Sequence, residues 1–258
     1  MTKVVVQGFL FDEKSSYLKG PSLAPPIIRK AYHSSSANYY SENGCLIAPE
    51  LFNDLGDSEI KEYFDINKVT LKNLEARKPL ITLGGDHSIT FPIIQAFYSI
   101  YGKVDILHID AHSDLYKDFE GDTYSHACPF YNIMENGLAE NLYQVGIRTL
   151  NEEQRANAKK FGVTINEMKD FQSFIIPVFK NPLYLSVDLD ALDPAYAPGV
   201  SHHEPGGLST RQLIEIIQKI NVPLIGADIV EYNPTRDIND MTAMVSAKLF
   251  KEIASKMI

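Results

Sequence analysis

Six short runs of apolar, mostly β-branched residues constrain the fold of this chain more than any other feature. Turn residues bound each run, and the apolar positions are continuous rather than alternating, which is typical of strands covered on both faces. The runs are KVVVQGF at 3–9, PLITLGG at 79–85, VDILHID at 104–110, LYQVGI at 142–147, LYLSVDLD at 183–190 and PLIGADIV at 223–230. Because such strands occur in parallel sheets, the sequence predicts a parallel sheet.

Segments with the spacing of amphipathic helices alternate with these runs. They are APPIIRKAYH at 24–33, ITFPIIQAFYSIYG at 89–102, NEEQRANAKKFG at 151–162, STRQLIEIIQKI at 209–220 and a last segment from about Asp240 to Met257. Ser209 stands three residues before Gln212, as in a capping box, and Gly102 stands where a helix would end. Alternating strands and helices predict a doubly wound α/β fold, with the irregular segment 34–60 as an excursion on the surface.

Composition narrows the class of protein. A chain of 258 residues that is 45% hydrophobic can bury a full core, and it has no repeat or linker, so we expect one domain over 1–258. The formal charge of −9 disfavours binding to nucleic acid or to an anionic membrane. The two cysteines, Cys45 and Cys128, form no disulfide or zinc motif, which fits a reducing cytoplasm. No apolar run approaches the roughly 18 residues of a membrane span, so we expect a cytoplasmic protein that binds small molecules or cations.

Polar residues that can bind metals follow four of the predicted strands. They are His87 in GGDHS, then Asp110, His112 and Asp114 in HIDAHSDL, then Asp188 and Asp190 in SVDLDALDP, and Glu231 in EYNP. Alternate residues of a strand share a face, and ligands of open parallel sheets bind beyond the carboxyl ends of the strands. HIDAHSD alone could be a solvated strand end, but the same spacing in the second acidic pair favours a shared site. Asp86 is interpreted as a turn or supporting residue, and Asp193 fits either a turn or the site.

Six of these side chains together carry four carboxylates and two imidazoles. Four negative charges repel one another strongly in a partly dry cleft, so cations must neutralise them. Two divalent ions match the four aspartates in charge. A ligand set rich in oxygen with some imidazole favours Mn²⁺, with Zn²⁺, Fe²⁺, Co²⁺ and Ni²⁺ as alternatives. Because two such ions lower the pKa of a shared water, the sequence predicts metal-assisted hydrolysis. Phosphate binding at GGDHS is disfavoured, because this stretch lacks the GK[ST] of a phosphate-binding loop.

Taken together, GGDHS, DAHSD and SVDLDALDPAYAPG resemble the metal motifs of the arginase/agmatinase (ureohydrolase) family. The similarity spans nearly the whole chain and is closest to plant-type arginases, through GPSLAPPIIRKA, FEGDTYSHA, QVGIRT, APGVSHHEPGGLS and the terminal GADIVEYNPTRDINDMTAMVSAKL. The resemblance implies an α/β/α sandwich around a parallel eight-stranded sheet, a site for two Mn²⁺ ions, and an oligomer of three or six subunits. It also implies hydrolysis of a guanidino group to urea and an amine.

The resemblance also assigns roles position by position. All six metal-ligand positions are matched without substitution, by His87, Asp110, His112, Asp114, Asp188 and Asp190. Glu231 falls where the family holds the carboxylate that orients the guanidinium, and a carboxylate suits that planar cation. Asp114 would also stabilise the tetrahedral intermediate. His126, in YSHACPF, matches a position for proton transfer, and Asn151 aligns loosely with a contact to the α-amino group.

The substrate is less closely defined than the reaction. The resemblance favours L-arginine over agmatine, but the loop KDFEGDTYSH carries Asp118, Glu120 and Asp122 and lacks the Asn and Ser neighbours through which animal-type arginases hold the α-carboxylate. These acids would suit the amine of agmatine if they face the pocket, and would otherwise form a solvated loop surface. Formiminoglutamase, a metal-dependent deacylase and a silent binding subunit are further alternatives. Glu231 argues against the deacylase, since a neutral amide does not need that carboxylate, and the complete ligand set argues against a silent subunit.

Overall fold

A sheet of eight parallel strands lies at the centre of the computed structural model, which describes residues 4–74 and 76–258. The strands are β1 Val4–Leu10, β2 Phe52–Glu59, β3 Leu80–Leu83, β4 Val104–Ile109, β5 Ala139–Ile147, β6 Thr164–Glu167, β7 Leu183–Asp188 and β8 Leu224–Val230. Their order across the sheet is β2-β1-β3-β8-β7-β4-β5-β6, and all neighbours are parallel. Every residue of β3, β4 and β7 is buried, which explains the continuous apolar runs.

Seven α-helices of the described ranges cover the two faces of the sheet. They are α1 Ala24–Tyr32, α2 Asp65–Asn73, α3 Thr90–Tyr101, α4 Pro129–Glu135, α5 Glu152–Phe161, α6 Thr210–Lys219 and α7 Met241–Ala254. Ile28 of α1 and Leu213 of α6 belong to the core on one face, and Ile66 of α2, Phe97 of α3 and Ile133 of α4 to the core on the other. The predicted α/β/α sandwich is confirmed. None of these helices is both long and apolar enough to cross a membrane.

The two edge strands are missing from the sequence-based prediction. β2 lies inside the segment 34–60, which we expected to be an irregular surface excursion, and that expectation is wrong for 52–59. All side chains of β2 are exposed or half-buried, so its sequence FNDLGDSE contains no apolar run. β6 is short and has no buried residue for the same reason. The short helices α2 and α4 are likewise additional to the prediction.

Two helix boundaries predicted from the sequence are confirmed. Ser209 Oγ accepts from the backbone N–H of Gln212, and the Gln212 side chain accepts from the backbone N–H of Ser209, which completes the capping box of α6. Helix α3 ends at Tyr101, and the capping residue Gly102 that follows has a φ of 74°, a conformation that glycine adopts readily.

Four adjacent strands carry predicted site residues at their carboxyl ends. The central order β3-β8-β7-β4 places the residues that follow these strands side by side, although His87 and Glu231 are 144 positions apart in the chain. Gly85 allows the sharp turn after β3, because a Cβ there would lie 1.5 Å from the backbone oxygen of Phe11. The sheet order therefore gathers these side chains at one edge of the molecule.

Candidate metal centre

His87 lies at the centre of a first group of predicted ligands. Its Nδ1 is 3.0 Å from Asp188 Oδ2 and 3.2 Å from both Asp110 Oδ2 and Asp114 Oδ2. All four side chains are buried. One imidazole nitrogen thus faces three carboxylate oxygens that come from the ends of β4 and β7.

His112 belongs to a second group. Its Nδ1 is 3.1 Å from Asp190 Oδ2 and 3.6 Å from Asp110 Oδ1. Asp110 therefore turns one oxygen towards each group. The potential ligand atoms lie within 4.8 Å of one another in each of two sets, which are His87, His108, Asp110 and Asp114, and Asp110, His112 and Asp190. The structure brings all six predicted ligands together.

Unusual backbone conformations direct two of the acids. Asp114 has a φ of 49° and Glu231 a φ of 61°, in the left-handed region that residues other than glycine rarely adopt. Such conformations cost on the order of 1 kcal/mol or more each, and they are concentrated at functional sites. At the end of β7, Asp188 Oδ1 accepts from the backbone N–H of Asp190 at 2.8 Å and closes a tight turn.

Asp86 and Asp193 both stabilise turns. Asp86 Oδ1 accepts from the backbone N–H of Ser88 at 3.1 Å, and its Oδ2 accepts from that of Lys14 at 2.9 Å. Asp193 Oδ2 accepts from the backbone N–H of Gly206 at 2.7 Å. Asp86 thus supports the turn that carries His87, and Asp193 closes the loop that follows β7.

Burial and mutual repulsion perturb the clustered carboxylates. Burial, together with the charge of Asp110, raises the pKa of Asp114 to about 8. Burial and the charges of Asp190 and Asp110 also raise the pKa of Asp188. Burial alone would raise the pKa of Asp110 as well, but His108 and the other imidazoles lower it. Divalent cations would relieve this repulsion, and the donor set of carboxylate oxygens and imidazole nitrogens fits ions of the manganese type.

A buried hydrogen-bond chain orients His87, and sequence reasoning did not identify it. His87 Nε2 is 2.9 Å from Ser186 Oγ, which donates to Asp228 Oδ1 at 2.6 Å. Asp228 Oδ2 accepts from Thr90 Oγ1 at 2.8 Å and from Tyr184 Oη at 2.9 Å. Because Ser186 donates its proton to Asp228, its oxygen accepts from His87 Nε2–H and leaves the lone pair on Nδ1. The signal was an acid, Asp228, inside the apolar run PLIGADIV.

His108 supports Asp110 in a similar way. Its Nε2 is 2.7 Å from Asp110 Oδ2, while Gln144 Nε2 donates to His108 Nδ1 at 2.9 Å and to the backbone oxygen of Ser113 at 2.6 Å. These contacts place the proton of the ring on Nε2. Burial lowers the pKa of His108 to about 4, so the ring is neutral near pH 7. The alternation of HIDAHSD extends back to His108, and that spacing could have identified it.

The two carboxylate oxygens of Glu231 have different surroundings. Oε1 accepts from the backbone N–H of His87 at 2.9 Å and from His126 Nδ1 at 2.8 Å. Oε2 is buried and has no hydrogen-bond partner in the described part of the chain. Burial alone would raise the pKa of Glu231, but the charge and hydrogen bond of His126 lower it. Glu231 is therefore a buried anion with one oxygen that lacks a donor.

His126 lies between Glu231 on one side of its ring and Ser16 on the other. Burial would lower the pKa of His126, but Glu231 raises it to about 9. On the other side of the ring, Nε2 is 2.8 Å from Ser16 Oγ and 3.2 Å from the Ser16 backbone nitrogen, whose N–H favours a lone pair on Nε2. This arrangement suits a group that takes up and releases a proton at Nε2.

These groups form the wall of a cavity of about 220 Å³. Besides the predicted residues, its lining includes Ser16, Tyr116, Phe119, Ala127, Thr149, Gln154, His202 and Glu204, none of which the sequence analysis selected. Among the described residues that line it are five acids and no Lys or Arg. Three of these acids belong to the predicted ligand groups, which leaves Glu204 and Glu231 to face a cationic ligand.

Asn151 lies beside this cavity rather than in its lining. Its Oδ1 accepts from the backbone N–H of Gln154 at 2.9 Å and caps helix α5, and its Nδ2 donates to Tyr116 Oη at 2.7 Å. Both polar atoms are thus engaged, and Asn151 reaches the cavity through Tyr116. Its direct contact with a substrate stays a prediction.

The acids of the loop 117–126 do not line the cavity. Asp118 accepts from the backbone N–H of Gly121 at 3.0 Å, and Asp122 forms an ion pair with Lys14 at 2.8 Å. Glu120 is exposed. Phe119 lines the cavity instead. Of the two readings of this loop, the structure favours the solvated surface.

Comparison with known proteins identifies the relatives of this chain. The sequence profile of the Arginase family matches residues 2–255. The chain belongs to the arginase family. It is 44% identical to arginase 1, mitochondrial, of Arabidopsis thaliana, over 97% of this chain and 80% of that protein. The fold matches the arginase from Medicago truncatula with a TM-score of 0.93 at 40% identity, over 99% of this chain and 87% of that one.

The family also includes relatives with other names. The agmatinase of Bacillus cereus is 31% identical, over 98% of this chain and 91% of that protein. The predicted ureohydrolase family and fold are confirmed by these matches. Family membership also confirms a metal-dependent hydrolase with a cluster of His and Asp side chains at its site.

Proposed function

We propose that the protein is an arginase, which converts L-arginine and water to L-ornithine and urea with two manganese ions. The observation that carries this proposal is Glu231, a buried anion with one oxygen that lacks a donor, beside two groups of metal ligands. A guanidinium supplies a positive charge and coplanar N–H donors at once. The similarity to plant arginases over nearly the whole chain supports arginine as the substrate.

Six residues would hold the two manganese ions in two groups that share Asp110. They are His87, Asp110, Asp114 and Asp188 on one side, and Asp110, His112 and Asp190 on the other. When bound, two such ions lower the pKa of a water and so supply hydroxide near neutral pH. The same donor set would also accept Zn²⁺, Co²⁺, Ni²⁺ or Fe²⁺.

Three side chains of the protein would act on the substrate. Glu231 binds the guanidinium and holds its carbon in line for attack by the water-derived nucleophile. Asp114 stabilises the tetrahedral intermediate, and its strained backbone directs it towards the ligand groups. The amine leaves as it gains a proton, which His126 delivers from Nε2, the ring nitrogen that lies 2.8 Å from Ser16 Oγ.

Hydrolysis of agmatine is a second candidate function, and one observation favours it. The described cavity lining contains no Lys or Arg, so the α-carboxylate of arginine has no ionic partner there. Agmatine lacks that carboxylate and carries only positive charges, which suits a cavity lined by acids.

We also propose a cytoplasmic homo-oligomer of three or six subunits. The family resemblance supports the oligomer, and the two isolated cysteines support a reducing compartment. Light scattering after gel filtration should give three or six times the subunit mass. Fractionation of the producing cells should recover the protein with the cytosol, and recovery in an organelle would contradict this location.

Product analysis tests the proposed reaction directly. Protein loaded with Mn²⁺ is incubated separately with L-arginine, agmatine and formiminoglutamate, and urea and formamide are measured. We expect urea from L-arginine. Urea from agmatine alone would establish the second candidate, and formamide from formiminoglutamate would contradict both.

Two variants test the separate roles of the acids. Glu231→Gln should retain both metals but lose about 100-fold or more in kcat/KM, because the substrate cation loses its carboxylate partner. Asp114→Asn should lose metal as well as turnover. Elemental analysis of the purified variants measures the metals, and full activity in either variant would contradict the assignment.

A further inference from the structure

One acid of the cavity has no role in the proposed reaction. Its aspartates belong to the two ligand groups and Glu231 faces the guanidinium, which leaves Glu204. Across residues 4–74 and 76–258, the Glu204 carboxylate forms no ion pair with Lys or Arg. Its nearest ionisable contact is His112 Nε2 at 3.8 Å, which is too long for a hydrogen bond.

Glu204 and Glu231 differ strongly in depth. The Glu204 side chain is 38% exposed, whereas that of Glu231 is 5% exposed. The two acids therefore mark the mouth and the floor of the cavity. Arginine and agmatine have a matching shape, since each carries a guanidinium at one end and an amine at the far end of a four-carbon chain.

Arg148 holds the backbone of Glu204 in place. Its Nε donates to the Glu204 carbonyl oxygen at 2.9 Å, and its Nη2 donates to the Asp190 carbonyl oxygen at 2.7 Å. Arg148 thus ties the segment that carries Glu204 to the turn that carries a predicted metal ligand. Its donors are taken by backbone oxygens, and among the described residues it forms no ion pair with the Glu204 carboxylate.

We propose, resting on the proposed function, that Glu204 binds the ammonium group at the far end of the substrate. The cavity would then select guanidino amines and guanidino amino acids over guanidino carboxylic acids. Arginine and agmatine share this amine, so Glu204 serves both substrates. By contrast, 5-guanidinopentanoate, which is arginine without its amino group, brings only a carboxylate to the mouth and is repelled there.

A different role for Glu204 would be to orient His112 from its outer side. The two roles predict different substrate dependence. A contact to the ammonium affects only substrates that carry one, whereas support of His112 acts on the metal site and affects every substrate equally. Butylguanidine, which has a guanidinium and an uncharged tail, distinguishes them.

The test compares Glu204→Gln with Glu153→Gln, a control that removes an acid from outside the cavity lining. Both variants and the wild type, loaded with Mn²⁺, are assayed for urea release from arginine, agmatine, 5-guanidinopentanoate and butylguanidine. For E204Q we expect KM to rise about tenfold for arginine and agmatine, with kcat changed less than about twofold. The kcat/KM for 5-guanidinopentanoate should rise, and that for butylguanidine should stay unchanged. Calorimetry with Mn²⁺ should give wild-type affinity, and E153Q should match the wild type throughout.

The outcomes separate the inference from the proposed function. Equal losses with all four compounds, together with weaker Mn²⁺ binding, would overturn the inference and assign Glu204 to His112. An E204Q profile identical to that of the wild type would also overturn it, while the proposed function would stand. If the wild type releases urea from none of the compounds, the proposed function fails and the inference fails with it.

Discussion

The two carboxylate oxygens of Asp110 face different partners at this site. Its Oδ2 faces His87 and His108, while its Oδ1 faces His112 and accepts from the backbone N–H of that residue at 2.6 Å. Glu231 divides its two oxygens in the same manner. The supporting contacts therefore determine which atoms remain available, and substitutions in those contacts should change the site without removing a ligand.

Asp228→Asn should weaken Mn²⁺ binding about 10–100-fold, although Asp228 is not a predicted ligand. The amide puts a donor where a carboxylate oxygen now accepts from Ser186. Ser186 can then donate to His87 Nε2, which moves the ring proton to Nδ1 and removes the lone pair that faces the carboxylates. Isothermal titration calorimetry with Mn²⁺ measures the change.

Asp105→Asn is the matched control for this variant. Asp105 is also buried in the sheet, but it lies at the amino end of β4, where it accepts from Asn141 and Asn181. This change should lower the free energy of unfolding by about 1–3 kcal/mol and leave Mn²⁺ affinity unchanged. Equal affinity in D228N and the wild type would contradict the role of Asp228.

At the scale of elements, the site depends on turns that follow short buried strands. β3 has four residues, and the chain turns at once through Gly85 into the segment that carries His87. The backbone of this turn packs against the backbone of Phe11, the residue that follows β1. The position of His87 is therefore set by backbone packing as well as by its own hydrogen bonds.

Gly85→Ala should displace this turn and weaken metal binding. An added Cβ would lie 1.5 Å from the Phe11 oxygen, so the turn must move. We expect the free energy of unfolding to fall by about 2–3 kcal/mol, together with a loss of Mn²⁺ affinity. Ser209→Ala serves as the control, because it removes the cap of α6 at a cost of about 1 kcal/mol and leaves the site intact. Urea denaturation and calorimetry measure both effects, and normal metal binding in G85A would refute the argument.

At the scale of the whole molecule, the fold concentrates acids at one edge of the sheet of a chain with a formal charge of −9. The four clustered aspartates come from segments that lie far apart when the chain is unfolded. Their repulsion therefore exists only in the folded state, where it opposes folding until cations relieve it. Metal binding and folding should consequently be coupled.

Mn²⁺ should stabilise the whole chain against heat. At about 100 times its Kd, an ion that binds only the folded state adds about 2.7 kcal/mol, which corresponds to about 5–10 °C in Tm for a chain of this length. Differential scanning calorimetry with and without EDTA measures the shift. We also expect a single transition, as one domain over 1–258 predicts. An unchanged Tm would contradict the metal site, and two separate transitions would contradict the single domain.

Patterns within short segments were enough to find the central strands and the side chains that meet at the site. A strand buried on both faces needs continuous apolar residues wherever it lies in the chain, and VDILHI meets this need in β4. A strand end that faces a ligand needs polar residues on one side, and Asp110, His112 and Asp114 follow at alternate positions. Both requirements act on neighbouring residues, so both are visible before the chain is folded.

Other features depend on which distant segments meet. β2 is held by backbone hydrogen bonds to β1, which leave no side-chain pattern in FNDLGDSE. The position of Asp122 away from the cavity follows from its ion pair with Lys14, which lies 108 positions away in the chain. The order β3-β8-β7-β4 and the placement of Glu204 at the cavity mouth follow from the crossover connections between strands. Long-range pairing is set by the packing of the whole chain, and no short segment contains that information.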